Sequence, residues 1–174
     1  MRGKQTVRDM VLSMAVIGAV VAGIYVFVPH DESLDPVKRI DYRVELDTAR
    51  RAAPYPVAAP EGLPGTWRAT SVTYEGGSAD GATWHLGFQN PDDEYVAVEQ
   101  GNGRASKFVA AVTHGAAKTG GTQRVGDARW ERWEGPKYDA LVREERGVTT
   151  VVTGTAPFGQ LAEMAAALKA SKSS

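Results

Sequence analysis

Trp130 and Trp133 are the side chains here whose type and spacing best suit contact with a ligand. An indole ring can stack on a sugar or fill a pocket on a partner, and its N–H adds one directional hydrogen bond. Three residues apart on a strand, the two rings point to opposite faces, so one is expected at the surface as a candidate ligand platform. The competing use of every indole in the chain, those of Trp67 and Trp84 included, is to fill the core.

Other chemistry finds less support. His30, His85 and His114 are scattered, with no His-x-x-x-His pair and no cysteine to join them as metal ligands. His85 reads as a solvated side chain on the outer face of a strand. Asp92, Asp93 and Glu94 form a charged turn that lacks the glycine and terminal glutamate of a calcium loop. Gly101-Asn102-Gly103-Arg104-Ala105-Ser106 follows a strand, but Ser106 stands where a dinucleotide loop has its third glycine. The Gly-Lys-Ser/Thr ending of a phosphate loop is also missing, so the stretch reads as a turn. Gly-x-Ser-x-Gly does not occur and no serine has a histidine close to it in sequence. Relays of that kind assemble in space, however, so a cell-envelope hydrolase with a spatially assembled polar site stays open. Glu75, Asp80, Glu99, Glu131 and Glu134 could all serve carboxylate chemistry, and nothing singles out two of them. No catalytic residue, cofactor site or metal site is assigned, and the balance leans away from an enzyme.

Composition narrows the setting. The chain has 174 residues and a net charge of -1, which gives no electrostatic footprint for nucleic acid. The absence of cysteine removes disulfides and thiol chemistry. Arginine outnumbers lysine and alanine is abundant, a bias that fits a GC-rich bacterial genome.

The elements that must position these residues follow from periodicity. Met10 to Val28 is nineteen residues without a charge. A helix of that length is about 28 Å long, close to the ~30 Å hydrocarbon core of a bilayer. Arg2, Lys4 and Arg8 precede it and Asp31, Glu32 and Asp35 follow it, which puts the N-terminus in the cytoplasm. A cleaved signal peptide is the rival, but its apolar region usually spans about 7–15 residues and ends at a small-x-small site. Here the exit is Val26-Phe27-Val28-Pro29. Ala15, Ala19 and Gly23 recur every four residues, a spacing that lets two helices approach as a weak helix-mediated dimer.

Beyond the span, residues 29–65 read as a stalk and a Pro-rich extended segment. Within them 38–53 fits a strand or a helix equally, and Pro54 to Gly65 is laid along the domain surface. Residues 66–170 form the α+β domain, and 171–174 a disordered tail. Strand patterns run over Trp67 to Tyr74, Thr83 to Gln89, Glu94 to Gln100, Thr122 to Val125, Ala128 to Trp133, Tyr138 to Arg143 and Val148 to Thr153. Their hairpin-sized gaps demand antiparallel pairing. Ser106 to Thr113 suits a short helix, and Gly115 to Gly121 a small-residue loop. Pro157 opens a last helix with Phe158, Leu161, Ala165 and Leu168 on one face. The expected architecture is a single N-terminal transmembrane helix, then an antiparallel sheet of about six strands packed with a C-terminal helix, the helices all on one face.

The order of short motifs adds a resemblance. Pro54-Tyr55-Pro56-Val57, Pro60-Glu61-Gly62-Leu63-Pro64 and Trp67-Arg68-Ala69-Thr70-Ser71 precede Trp84-His85-Leu86-Gly87-Phe88 and Glu94-Tyr95-Val96-Ala97-Val98. Trp130, Ala140-Leu141-Val142 and Thr149-Thr150-Val151-Val152-Thr153-Gly154-Thr155-Ala156 then lead into the last helix. From Asp41 to Leu168 this resembles the actinobacterial membrane-anchored proteins grouped as domain of unknown function 4245. The resemblance implies an anchor and one outer domain, and brings no activity with it. The functional expectation is a single-pass, extracytoplasmic, non-enzymatic module at the cell membrane, bound to the bilayer by its helix and to an envelope protein or polymer by its domain. An envelope hydrolase and an accessory subunit of a membrane complex are the alternatives.

Overall fold

The computed structural model describes residues 3–27 and 39–172. The stalk from Pro29 to Pro36, with His30 and the acidic flank, lies outside them, as do Arg2 and the last two serines. The chain divides into two compact units, Met1–Pro36 and Val37–Ser174.

The described residues of the first unit form one helix, α1 (Gly3–Phe27). From Val7 to Ala22 every side chain is exposed, the valines, Leu12 and Ile17 among them. Among the described residues no helix is long and apolar enough to cross a membrane.

The second unit is α+β. It opens with α2 (Arg43–Ala52), where the sequence leaves strand and helix open. The alternation of Ile40, Tyr42, Val44 and Leu46 suits a strand, but Leu46, Ala49 and Ala53 share one helical face and are buried, while Val44 is 72% exposed. Glu45 in the first turn and Arg50 and Arg51 in the last complement the helix dipole.

Two sheets follow. The larger contains β2 (Arg68–Glu75), β3 (Thr83–Gln89), β4 (Tyr95–Gly101), β5 (Ala117–Val125), β6 (Ala128–Glu134), β7 (Asp139–Glu145) and β8 (Val148–Gly154). It has seven antiparallel strands in the order β2-β3-β4-β8-β7-β6-β5, one more than the expected six. Two meanders, β2-β3-β4 and β5-β6-β7-β8, meet where β8 docks on β4. β8 is thus the central strand, and both its faces are buried. The stretch expected as a loop from Gly115 to Gly121 belongs largely to β5. Edge strands tolerate such small, exposed residues, and a register shift between Lys118 and Thr122 absorbs Gly120 and its positive φ of 78°. Arg146 and Gly147 both have positive φ, which makes the β7–β8 connection a two-residue turn matched to strand twist.

The smaller sheet pairs β1 (Val57–Pro60) with β9 (Leu168–Ser171). The last helix, α4 (Phe158–Ala167), therefore ends one residue before Leu168, which was expected on its apolar face. Leu168 instead opens β9 opposite Pro60, and the domain extends to Ser171. Two polar side chains seat β1 on the larger sheet. Trp84 Nε1 donates to the Ala58 carbonyl at 3.0 Å, and Ala58 N donates to Gln100 Oε1 at 2.7 Å.

Helices cover both faces of the larger sheet, not one. On the inner face, Leu46 and Ala49 of α2 and Leu161, Met164 and Ala165 of α4 join Trp84, Leu86, Phe88, Val96, Val98, Leu141 and Val152. On the outer face, α3 (Ala105–Val112) lays Val109 and the partly buried Phe108 and Val112 against Ala140, Val142 and Val151. Period-2 alternation along β7 and β8 creates both cores from the same two strands.

Candidate functional site

The two tryptophans point to opposite faces. Trp130 faces inward and is 3% exposed, and Trp133 faces outward, half-buried against α3. Trp130 lines a cleft of about 840 Å³ at the end of the sheet bounded by the β5–β6 and β7–β8 turns, the β1–β9 ribbon and α4. Tyr55, Val148 and Leu168 share its apolar lining, while Asp127, Arg143, Glu145 and Arg146 supply charge. Arg143 and Glu145 pair with each other at 2.5 Å. Tyr55 donates to the Ala82 carbonyl at 3.1 Å, and burial pushes its hydroxyl well above the usual tyrosine range. So deeply seated a Trp130 is part of the cleft floor and offers no free ring face for stacking. Trp133 lines a smaller cavity of about 510 Å³ with Arg129 and Glu131, and its indole N–H has no hydrogen-bond partner.

The outer face holds a polar cluster that sequence reading missed. His85 is not the solvated side chain expected. Its Nε2 lies 2.7 Å from Ser71 Oγ, and its Nδ1 lies 2.6 Å from Glu99 Oε1. Serine, histidine and glutamate come from β2, β3 and β4, three adjacent strands. Exposure falls toward the acid, from 27% for the His85 side chain to 12% for that of Glu99. Burial raises the Glu99 carboxyl above its ordinary value, and the hydrogen bond and charge of His85 pull part of that back.

A β-bulge aims the serine. Ala69 pairs with Phe88 and Ser71 pairs with Gly87, so Thr70 is the extra residue. Without it, alternation would turn Ser71 to the inner face, because a one-residue shift reverses every side chain beyond it. Gly87 then makes room, since a methyl group there would run into Ser71 Oγ and come within 3.2 Å of the Tyr95 ring. The Tyr95 pKa is pushed up to about 12, first by burial and then by the nearby Glu99. Tyr138 packs on Tyr95 with centroids 5.7 Å apart and meets His114 edge-on at 5.1 Å.

The profile of a family described as protein of unknown function (DUF4245) matches residues 2–168. The chain belongs to that family. The match takes in α1 as well as the domain, ending at the first residue of β9. No curated protein and no solved structure matches the chain significantly.

The other sequence candidates have structural uses in the DUF4245 domain. A side chain on Gly101 would strike Phe108 of α3, and one on Gly103 would strike the Asp80 carbonyl, so the glycines of that loop serve close packing. Asp93 adopts a φ of 62° in the β3–β4 turn and accepts from Arg68 at 2.6 Å. Asn90, fully buried beneath that turn, accepts from Asp92 N and Glu94 N at 3.0 and 2.7 Å and bonds Gln160 of α4. Glu131 pairs with Lys118 across the sheet edge, and Asp80 pairs with Lys107. Glu99 alone among the five carboxylates meets a histidine, and that meeting depends on strand register, which no spacing in the sequence announces.

Proposed function

We propose that the chain is a single-pass, membrane-anchored extracytoplasmic domain that binds an envelope component in the Trp130 cleft, with its N-terminus in the cytoplasm. The cleft carries the binding half of this reading. Its volume is in the ~300–1,000 Å³ range of small-ligand sites, and it joins an apolar lining to a few charged groups. Gln100 and Thr150 also line it, bonded to each other at 3.1 Å. Such a surface suits an amphipathic segment with hydroxyl and charged substituents, as an envelope polysaccharide presents, and a protein segment is the other occupant of matching chemistry.

The anchor rests on the uncharged run from Met10 to Val28 and on α1, which from Met10 onward has no charged side and is exposed from Val7 to Ala22. A helix without a polar face belongs either in a protein core or in lipid. Side chains 7–23 alone would be about 25 Å of helix, so the full span draws on the sequence beyond them.

Full-length protein in detergent, sedimented with insoluble cell wall, tests the cleft. Ala166 is exposed at its wall, and Ala166→Trp would obstruct it. Wild type is expected to pellet and the variant to stay in solution with an unchanged melting temperature. Equal pelleting of both, or of neither, ends the cleft reading. Alkaline washing of membranes from expressing cells tests the anchor, and release of the protein into the wash overturns it.

A further inference from the structure

We propose that Ser71 is a nucleophile for acyl transfer, activated by His85 and oriented through Glu99, on the sheet face opposite the cleft. This goes beyond the binding role and rests on different residues.

The atoms are ordered as such a relay requires. An uncharged imidazole has one N–H and one lone pair. Its Nδ1–H faces an acceptor, Glu99 Oε1, at 2.6 Å, which fixes the tautomer with the lone pair on Nε2. That lone pair faces Ser71 Oγ at 2.7 Å, within reach of the hydroxyl proton. The acid is the most enclosed member of the three and the serine is partly exposed, so the reactive oxygen is at the open end of the chain. The Tyr95 hydroxyl lies nearby, since it and Ser71 Oγ both border the space over Gly87.

Three features of the backbone converge on this geometry. The bulge at Thr70 turns Ser71 outward, the register of β3 on β4 sets His85 opposite Glu99, and Gly87 keeps the space beneath Ser71 Oγ clear. Bulges often re-aim a side chain in this way beside active sites. A simple cross-strand tie between His85 and Glu99 would need neither the bulge nor the glycine.

The substrate class is a carboxylic ester. Ser71 Oγ bonds to the carbonyl carbon while its proton passes to His85 Nε2. The bond to the alcohol breaks, and the alcohol leaves with the proton from Nε2. Water then attacks the acyl-serine, gives its proton to Nε2, and Ser71 Oγ recovers a proton as the carboxylic acid departs. Atoms and charge balance with water as the only co-reactant.

The test uses full-length protein in detergent and a fluorophosphonate probe, which forms an O–P bond with an activated serine and expels fluoride. Mass spectrometry is expected to find one adduct, on Ser71, and none in Ser71→Ala. His85→Gln should slow labelling by roughly a hundredfold or more, the usual contribution of a general base. Should that variant fail to fold, His85→Asn reads the same dependence. The proposal is overturned by an absence of adduct at excess probe, by labelling elsewhere, or by Ser71 labelling that neither His85→Gln nor His85→Asn slows.

Discussion

On the face covered by α2 and α4, the larger sheet turns Trp84, Leu86, Phe88, Val96, Val98, Leu141 and Val152 into one continuous core. On the other face, α3 covers the middle strands with a smaller apolar cluster, and β2, β3 and β4 are left to Ser71, His85, Glu99 and Tyr95. The same seven strands supply both. Inward residues are apolar or, like Gln100, pinned by hydrogen bonds to β1 and to Thr150. Outward on β2 to β4, Ser71, His85 and Glu99 are bonded to one another in series. One face is held by area removed from water, the other by geometry. A substitution inside should therefore cost stability in proportion to volume. One outside should cost less stability and change reactivity or pH response.

Trp84→Ala breaks the comparison on its strong side. The ring is fully buried, and its N–H holds β1 through the Ala58 carbonyl. Truncation should cost about 3–5 kcal/mol, the usual range for a buried large aromatic, and loosen the β1–β9 ribbon besides. Urea unfolding followed by far-UV circular dichroism measures it, and a cost under about 1 kcal/mol would show that β3 is not packed as described.

That inner face was legible because nothing interrupts the period-2 pattern of β3. Trp84, Leu86 and Phe88 announce one buried side, and the hairpin-sized gaps announce antiparallel pairing. Three things were hidden. The bulge at Thr70 leaves no mark in composition, so alternation read from Trp67 gave Ser71 no reason to meet His85. The contact of His85 with Glu99 joins residues fourteen apart through strand register. The pairing of β1 with β9 is hidden too, because Leu168 continues the helical pattern of α4 and only the waiting edge of β1 ends the helix there. Helix–strand ambiguity at Arg43 to Ala52 had the same source, since both periods fit and burial of Leu46 and Ala49 decided between them.

His85→Ala probes the outer face more gently. The substitution leaves Glu99 buried without the partner that offsets its desolvation, at a cost of about 1–3 kcal/mol. That is far above the ~0.5 kcal/mol of a surface change, and it is what separates a bonded His85 from a solvated one. The measurement is again urea unfolding, at pH 7. A loss within ~0.5 kcal/mol would return His85 to the solvent.

Glu99→Gln sharpens the comparison through pH, with the smallest effect. At neutral pH the variant exchanges a charge-assisted hydrogen bond for a neutral one and removes a buried charge. These act in opposite directions, and the net change should stay within about 1 kcal/mol. The pH dependence is more telling. Burial raises the Glu99 pKa in the folded protein above its unfolded value of about 4.3, so between the two values the folded state holds the extra proton. Stability from this group is thus fully present below the unfolded value and is lost as pH rises through the folded one. Glutamine does not titrate, so wild type minus variant isolates the carboxyl together with its coupling to His85 and Tyr95, the titratable groups that act on it or feel its charge. Unfolding free energies taken from pH 4 to pH 7.5 should show wild type at its best relative to Glu99→Gln at the acid end and losing ground as pH rises. A difference that instead grows in favour of wild type with rising pH would mean that the His85 interaction outweighs burial, and that Glu99 is held as a firmly ionised partner throughout.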